Sequence, residues 1–313
     1  MAYPLPCTSM SMKNQKTLKQ EISISGIGLH SGKRVNLRLL PAKSNTGVRF
    51  VRTDLKSPIE IKADVRNVSS TTLATTLSSG NTKISTVEHL MSALWALGID
   101  NVICEVDGEE VPILDGSAGP FATLIRKAGI KNQRSAKRFL VATKTIEIRE
   151  GNKWAILRPS REFKISYTID FPHPTIGKQH FIYDSETDFS REIAPCRTFG
   201  FLKDVERMQA MGLALGGSLQ NAVVLDDEKA LNPGGLRFDN EFVRHKILDA
   251  IGDFSLIGYP ILAEVELHRA GHDLQTRLIH ELLHQVGAYS IFIPESDEAL
   301  EKPLMLSQAA YAF

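Results

Sequence analysis

The segment from Arg244 to Asp253 carries three groups that could act together. On a helix, His245, Asp249 and Asp253 fall at i, i+4 and i+8, which makes one continuous stripe. Val243, Ile247, Ile251 and Phe254 fall on the opposite side. An imidazole and two carboxylates beside an apolar face form a candidate metal site. The stripe offers two direct ligands, and a catalytic zinc usually takes three from the protein. A second segment, Ser85-Thr86-Val87-Glu88-His89, opens another helical pattern and supplies the candidate third ligand. His89, His245 and Asp249 would leave one coordination position open. Glu88 is then a candidate general base, because zinc lowers the pKa of water from about 15.7 to about 7 and a nearby carboxylate completes its activation. Ser85-x-x-Glu88 also reads as a capping box, with Glu88 bonding back to the Ser85 amide. Spacing alone leaves both uses open.

A rival metal pattern lies at His280-Glu281-Leu282-Leu283-His284, which matches the short motif of zinc metalloproteases. Gly287 follows at the longer motif's spacing, but Ser290 stands where that motif has its third histidine. Glu298 is the downstream carboxylate that could complete it. The plainer reading is an amphipathic helix, with Leu278, Ile279, Leu282, Leu283 and Val286 inward and both histidines toward solvent.

The elements that must position these groups come in a repeated order. Val35, Leu37 and Leu39 alternate with polar residues, and Leu18, Gln20, Ile22 and Ile24 share one alternate set, so strands come first. The Gly26-to-Gly32 stretch between them lacks the trailing Lys-Ser/Thr of a phosphate loop and reads as a turn. A helix follows over about 86–97, then a buried strand at 102–106, then a helix with Pro120 in its first turn and Gly129 as its stop. The second half again places strands first (140–141, 145–148, 154–157, 164–170) and helices later. This predicts an α+β fold of two domains, each a sheet packed by helices on one face, with the active site in the cleft between them. The expected boundaries are a poorly ordered tail at 1–16, a first domain at 17–132, a basic linker at 133–139 and a second domain at 140–313.

With 37 basic and 36 acidic residues the net charge is +1, which argues against a nucleic-acid binder. A hydrophobic content of 42% is enough for a packed core. Cys7, Cys104 and Cys196 are scattered and odd in number, so no disulfide framework or paired-Cys metal site is expected. No secretory signal or membrane span is legible, so a cytoplasmic chain is expected, meeting a membrane at its surface at most. The lack of heptads leads to an expected monomer.

Long segments then show a resemblance. They include Gly26-Ile-Gly-Leu-His30-Ser-Gly, Ile84-Ser-Thr-Val-Glu88-His89-Leu, Gly98-Ile-Asp-Asn101 and Pro112-Ile-Leu-Asp115-Gly-Ser-Ala in the first half. In the second half they are Arg197-Thr198-Phe199-Gly200-Phe201, Gly216-Gly-Ser218, Leu236 through Lys246, and Gly271-His272. From about Lys16 onward the chain resembles the zinc-dependent UDP-3-O-acyl-N-acetylglucosamine deacetylases of lipid A biosynthesis. The resemblance implies hydrolysis of the N-acetyl group of UDP-3-O-acyl-N-acetylglucosamine, giving acetate and a free amine.

By the same resemblance, His89, His245 and Asp249 hold Zn2+, a set that also suits Fe2+, and Glu88 is the base. Thr198 helps hold the oxyanion, a service worth about 3 kcal/mol where such a donor has been removed. A positively charged His272 stabilises the oxyanion and protonates the departing amine, and Asp253 orients His272. Lys246, beside the stripe, is expected to meet the sugar or diphosphate, with Arg269 and Lys153 as further contacts. Phe171 is expected to stack on uracil. The acyl passage maps to an inserted segment through Phe199, Leu202, Val205, Ala214, Ser218 and Val224. Surface charge and core packing remain plain alternatives for these substrate contacts. The family usually has Ser-Gly-His with a preceding lysine; here Ala270 and Arg269 stand at those places, and arginine changes the geometry of any diphosphate contact. Two other classes of function stay open beside this reading: a protease built on His280, Glu281 and His284, and a non-catalytic UDP-sugar-binding module with a structural metal. The latter normally needs four protein ligands, and three are found.

Overall fold

Alternating burial organises both halves of the chain. In the computed structural model, which describes residues 13–295, strand Arg34–Pro41 buries Val35, Leu37 and Leu39 and exposes Arg34, Asn36 and Arg38. It lies second in a five-stranded sheet of order Ile22–Ile27, Arg34–Pro41, Val102–Val106, Val48–Arg52, Ile59–Lys62. All pairings are antiparallel except Val102–Val106 with Val48–Arg52. The second half forms a seven-stranded sheet around strand Ile261–His268, which buries Ile261, Ala263, Val265 and Leu267 on one face. One edge of that strand pairs antiparallel with Lys153–Pro159; the other runs parallel to Phe139–Ala142 and Phe163–Asp170. One-sided burial of this kind requires a cover on the apolar face.

Helices provide it. The first half contributes α1 (Glu88–Ala96) and α2 (Gly119–Ala128), and α2 has Pro120 near its start and Gly129 at its C-cap, as expected. Then come α3 (Leu202–Ala210), α4 (Glu241–Ser255) and α5 (His272–His284). One apolar cluster runs through both sheets and the helices, from Leu37 and Leu90 to Ile251 and Leu278. The α+β class expected from sequence is the one observed. Among the described residues, no helix is long and apolar enough to cross a membrane.

Three local expectations are corrected. The basic stretch expected as a linker is strand Ile130–Ala136, paired antiparallel with Asn14–Leu18, so part of the expected tail is ordered too. Backbone pairing and buried Gln15 and Asn101 side chains, which meet at 3.0 Å, override its polar composition. The alternate set Leu18 to Ile24 is not one strand but the end of Asn14–Leu18 and the start of Ile22–Ile27. Helix α4 is buried on nearly every side, not only along Val243, Ile247, Ile251 and Phe254. Residues 1–12 of the expected tail and 296–313 of the expected second domain, including Glu298, lie outside the described residues.

Candidate metal centre and its proton-transfer groups

Two helices must approach closely to bring His89 to the α4 stripe, and one glycine permits it. A Cβ on Gly252 would lie 2.2 Å from the Glu88 carbonyl oxygen and 2.9 Å from its Cα. Bare backbone at 252 therefore lets α1 rest on α4. We predict that Gly252→Ala costs about 1–3 kcal/mol of stability through overpacking, and weakens metal binding because Glu88 and His89 are displaced together. Thermal unfolding and metal titration of the variant check both effects.

At this crossing His89, His245 and Asp249 converge, each buried, with candidate ligand atoms all within 4.8 Å of one another. The Nε2 atoms of His89 and His245 lie 3.4 and 3.3 Å from Asp249 Oδ1. That oxygen is buried without a hydrogen-bond partner among the described residues, which is costly unless a cation takes it. His245 Nδ1 donates to the Cys196 carbonyl at 3.0 Å, which fixes the tautomer that leaves Nε2 free to ligate. Burial, despite Asp249 nearby, pushes the His245 pKa down to about 4, so the ring is a neutral ligand at pH 7. Burial opposes ionisation of Asp249, but His245 and Lys246 hold its carboxyl well below the usual range. The donor set and the orphaned oxygen fit a divalent ion such as zinc.

Glu88 opens α1, and the cap expectation fails there. Val87 is the N-cap and makes no side-chain cap bond, while Ser85 Oγ donates to the Glu109 carbonyl. Thr86 takes a left-handed turn at φ 57° and donates its hydroxyl to buried Glu110, which turns the chain away from a capping box. The Glu88 carboxylate instead accepts from the Thr75 amide at 3.1 Å. Burial raises its pKa, the direction that suits a general base.

His272 is the first residue of α5. Its Nδ1 donates to Asp253 Oδ2 at 2.7 Å. Burial works against charge on this ring, but the Asp253 charge and hydrogen bond outweigh it and raise the pKa to about 9. Thr75, which sequence reasoning missed, donates its hydroxyl to Asp253 Oδ1 at 2.6 Å and lies 3.2 Å from His272 Nδ1. No spacing signal marked it among neighbouring threonines.

A second missed feature is the buried pair of Arg197 and Glu241. Glu241, fully buried at the start of α4, accepts from the Arg197 amide and guanidinium and from the Arg237 amide. Arg197 lies between Cys196, whose carbonyl holds His245, and Thr198. Both residues sit in segments that carried the family resemblance, but nothing in their spacing paired them. Glu241→Gln leaves the Arg197 charge buried without its counterion. We predict a loss of about 3–5 kcal/mol, read by denaturant unfolding, with weakened metal affinity because the His245 partner moves.

The remaining predicted residues fall as follows. Thr198 is half-buried; its amide donates to Gly116 and its carbonyl accepts from Val223. Phe199 stands with its ring centroid 6.4 Å from His245 and 5.7 Å from Phe171, so Phe171 reaches toward the metal cluster through one aromatic neighbour. Lys246 Nζ is 2.7 Å from Asp249 Oδ2 and is thus held by a ligand carboxylate rather than left pointing outward. In the segment expected to be inserted, Phe199–Phe201 runs parallel to Val223–Leu225, with α3 between them. Leu202 is exposed, Val205 and Val224 half-buried, Ala214 buried and Ser218 exposed. Arg269 pairs with Asp170 at 3.6 Å, and Lys153 is exposed at the end of a hairpin, paired with Glu150. On α5, His284 Nδ1 donates to the His280 carbonyl, and no third ligand joins the two among the described residues. The turn at Gly26–Gly32 closes on itself through the Gly28 and Gly32 amides, as expected, with Glu110 accepting from His30 and Ser31.

Comparison with known proteins meets this geometry. The model of the family described as UDP-3-O-acyl N-acetylglycosamine deacetylase matches residues 15–284. A UDP-3-O-acyl-N-acetylglucosamine deacetylase of Myxococcus xanthus (strain DK1622) is 51% identical over 292 residues, 93% of this chain and 93% of the relative. One of Syntrophus aciditrophicus (strain SB) is 50% identical over 87% of this chain and 86% of its own length, and one of Histophilus somni (strain 129Pt) is 48% identical over 92% and 96%. The family match takes in His89, His245, Asp249 and the His272–Asp253 pair, and the chain belongs to the UDP-3-O-acyl-N-acetylglucosamine deacetylase family.

Proposed function

We propose that this protein hydrolyses the N-acetyl group of UDP-3-O-acyl-N-acetylglucosamine in lipid A biosynthesis, as a cytoplasmic, zinc-dependent monomer. The single observation that carries the reading is the convergence of His89, His245 and Asp249 beside Glu88 and the His272–Asp253 pair. His89, His245 and Asp249 would hold a zinc ion, which when bound would acidify a water and polarise the carbonyl. Glu88, with its carboxyl raised by burial, takes the proton from the attacking water. His272, charged through Asp253, stabilises the developing negative oxygen and gives its own proton to the amine as acetate leaves, while Glu88 keeps the proton taken from water. Thr198 adds a hydrogen bond to that oxygen. Lys246, tied to Asp249, balances charge at the cluster and faces the sugar.

The aromatic run of Phe171 and Phe199 supports uracil and acyl contacts there, and Arg269 a diphosphate contact. The segment with Leu202, Val205, Ala214, Ser218 and Val224 forms the acyl passage. Lys153 is the most peripheral of the proposed contacts. The two domains are the halves 17–132 and 140–313, with the site in the cleft between them; the triad draws one ligand from the first and two from the second. The protease reading rests on the His280–His284 motif alone, which no third ligand joins among the described residues. An acetate-release assay on this substrate, with metal content measured, tests the proposal. Turnover by the zinc-loaded protein that persists in His280→Ala is expected. Absence of turnover by the zinc-loaded protein overturns it.

A further inference from the structure

Thr75 is fully buried, and its polar groups reach three helices. Its amide donates to the Glu88 carboxylate at the start of α1, and its carbonyl accepts from Val87 just before it. Its hydroxyl donates to Asp253 Oδ1 on α4 and lies 3.2 Å from His272 Nδ1 on α5. The other Asp253 oxygen is taken by His272. Both carboxylate oxygens of Asp253 are therefore engaged, and the plane of the carboxylate is set by two partners instead of one. A carboxylate held at one oxygen can rotate about its last bond and carry the imidazole with it. Held at both, it fixes the ring.

We infer that Thr75 is the positioning residue of the reaction, holding the base Glu88 through its backbone and the acid His272 through Asp253 with its hydroxyl. The inference rests on the proton-transfer roles proposed above. One residue then sets the separation of base and acid across the reacting amide. The two groups serve successive proton transfers at one carbon centre, so a small misplacement of either is costly. A merely structural threonine at this place would fill volume, and valine would replace it.

The test compares Thr75→Val, which keeps the shape and the backbone bonds, with Thr75→Ser, which keeps the hydroxyl. Thr75→Val is expected to lower kcat roughly 10–100-fold, as for removed partners that orient a reacting group, with KM and bound metal unchanged. Thr75→Ser is expected to stay within about 3-fold of wild type, because the hydroxyl is what matters. In an Asp253→Asn background Thr75→Val should add little further loss, since both act through one carboxylate. Wild-type kcat in Thr75→Val, or equal damage in Thr75→Ser and Thr75→Val, overturns the inference. If Thr75→Val does not fold, Thr75→Ala against Thr75→Ser decides on the same criterion. His272→Ala and Glu88→Gln run in parallel separate the two levels. Full turnover in those variants overturns the proton-transfer reading and this inference with it. Loss in them, with Thr75→Val unaffected, overturns the role of Thr75 alone.

Discussion

His245→Ala is expected to lose bound metal and at least about 1,000-fold in deacetylation together. The size follows from removing one of three ligands at a centre whose ion supplies several kcal/mol of charge stabilisation, each 1.36 kcal/mol being tenfold in rate. The structure gives two reasons for the losses to coincide. His245 Nε2 is one of the two imidazole nitrogens facing Asp249 Oδ1, which has no hydrogen-bond partner of its own among the described residues. The Cys196 carbonyl, which holds the ring in its ligating tautomer, stays behind without its donor. Metal analysis and single-turnover acetate release on the same sample check the prediction. A variant that keeps one metal per chain and turns over would remove His245 from the ligand set.

The second large effect is at His272. His272→Ala is expected to lower kcat by about 100- to 10,000-fold, the range of a positioned general acid, while metal content stays at the wild-type level. The wild-type rate should also carry a basic limb. In its proposed role as the acid His272 acts in its charged form, and Asp253 raises its pKa to about 9 against the effect of burial. The acid is therefore fully protonated through neutral pH, and the rate falls as pH rises through about 9. Asp253→Asn removes the raising charge, so the limb should move toward the ordinary histidine value near 6.5. A pH–rate profile of the three proteins measures this directly. A basic limb unmoved in Asp253→Asn would assign it to another group.

The legible part of the site was the part written into single helices. His245, Asp249 and Asp253 share α4 at four-residue spacing, so one turn rule aligned them before any tertiary contact was known. Glu88 and His89 were legible as neighbours, but their approach to α4 depends on Gly252, whose meaning appears only when the Glu88 backbone lies 2.2 Å from where its Cβ would be. Thr75 was illegible because its partners come from helices remote in sequence. Spacing left the capping box open beside the base, and the tertiary partners decide against it: Glu110 recruits Thr86 and leaves Ser85 and Glu88 with other partners. The α+β class and α2, with its Pro and Gly signals, were readable because they depend on local periodicity and caps. The strand at 130–136 was not, since its pairing partner begins at residue 14 and its own composition is polar.

The contact between Thr75 and His272 spans 197 residues of sequence. A ribosome adding about 5–20 residues per second needs roughly 10–40 seconds to cover that distance. Through most of that interval Thr75 and Glu88 wait for Asp253 and His272, which are made only near its end. The same wait applies to His89, whose partners His245 and Asp249 lie on α4. An ion held by these three residues as proposed would bind only after α4 is made, and metal occupancy would then report whether the two halves have found each other.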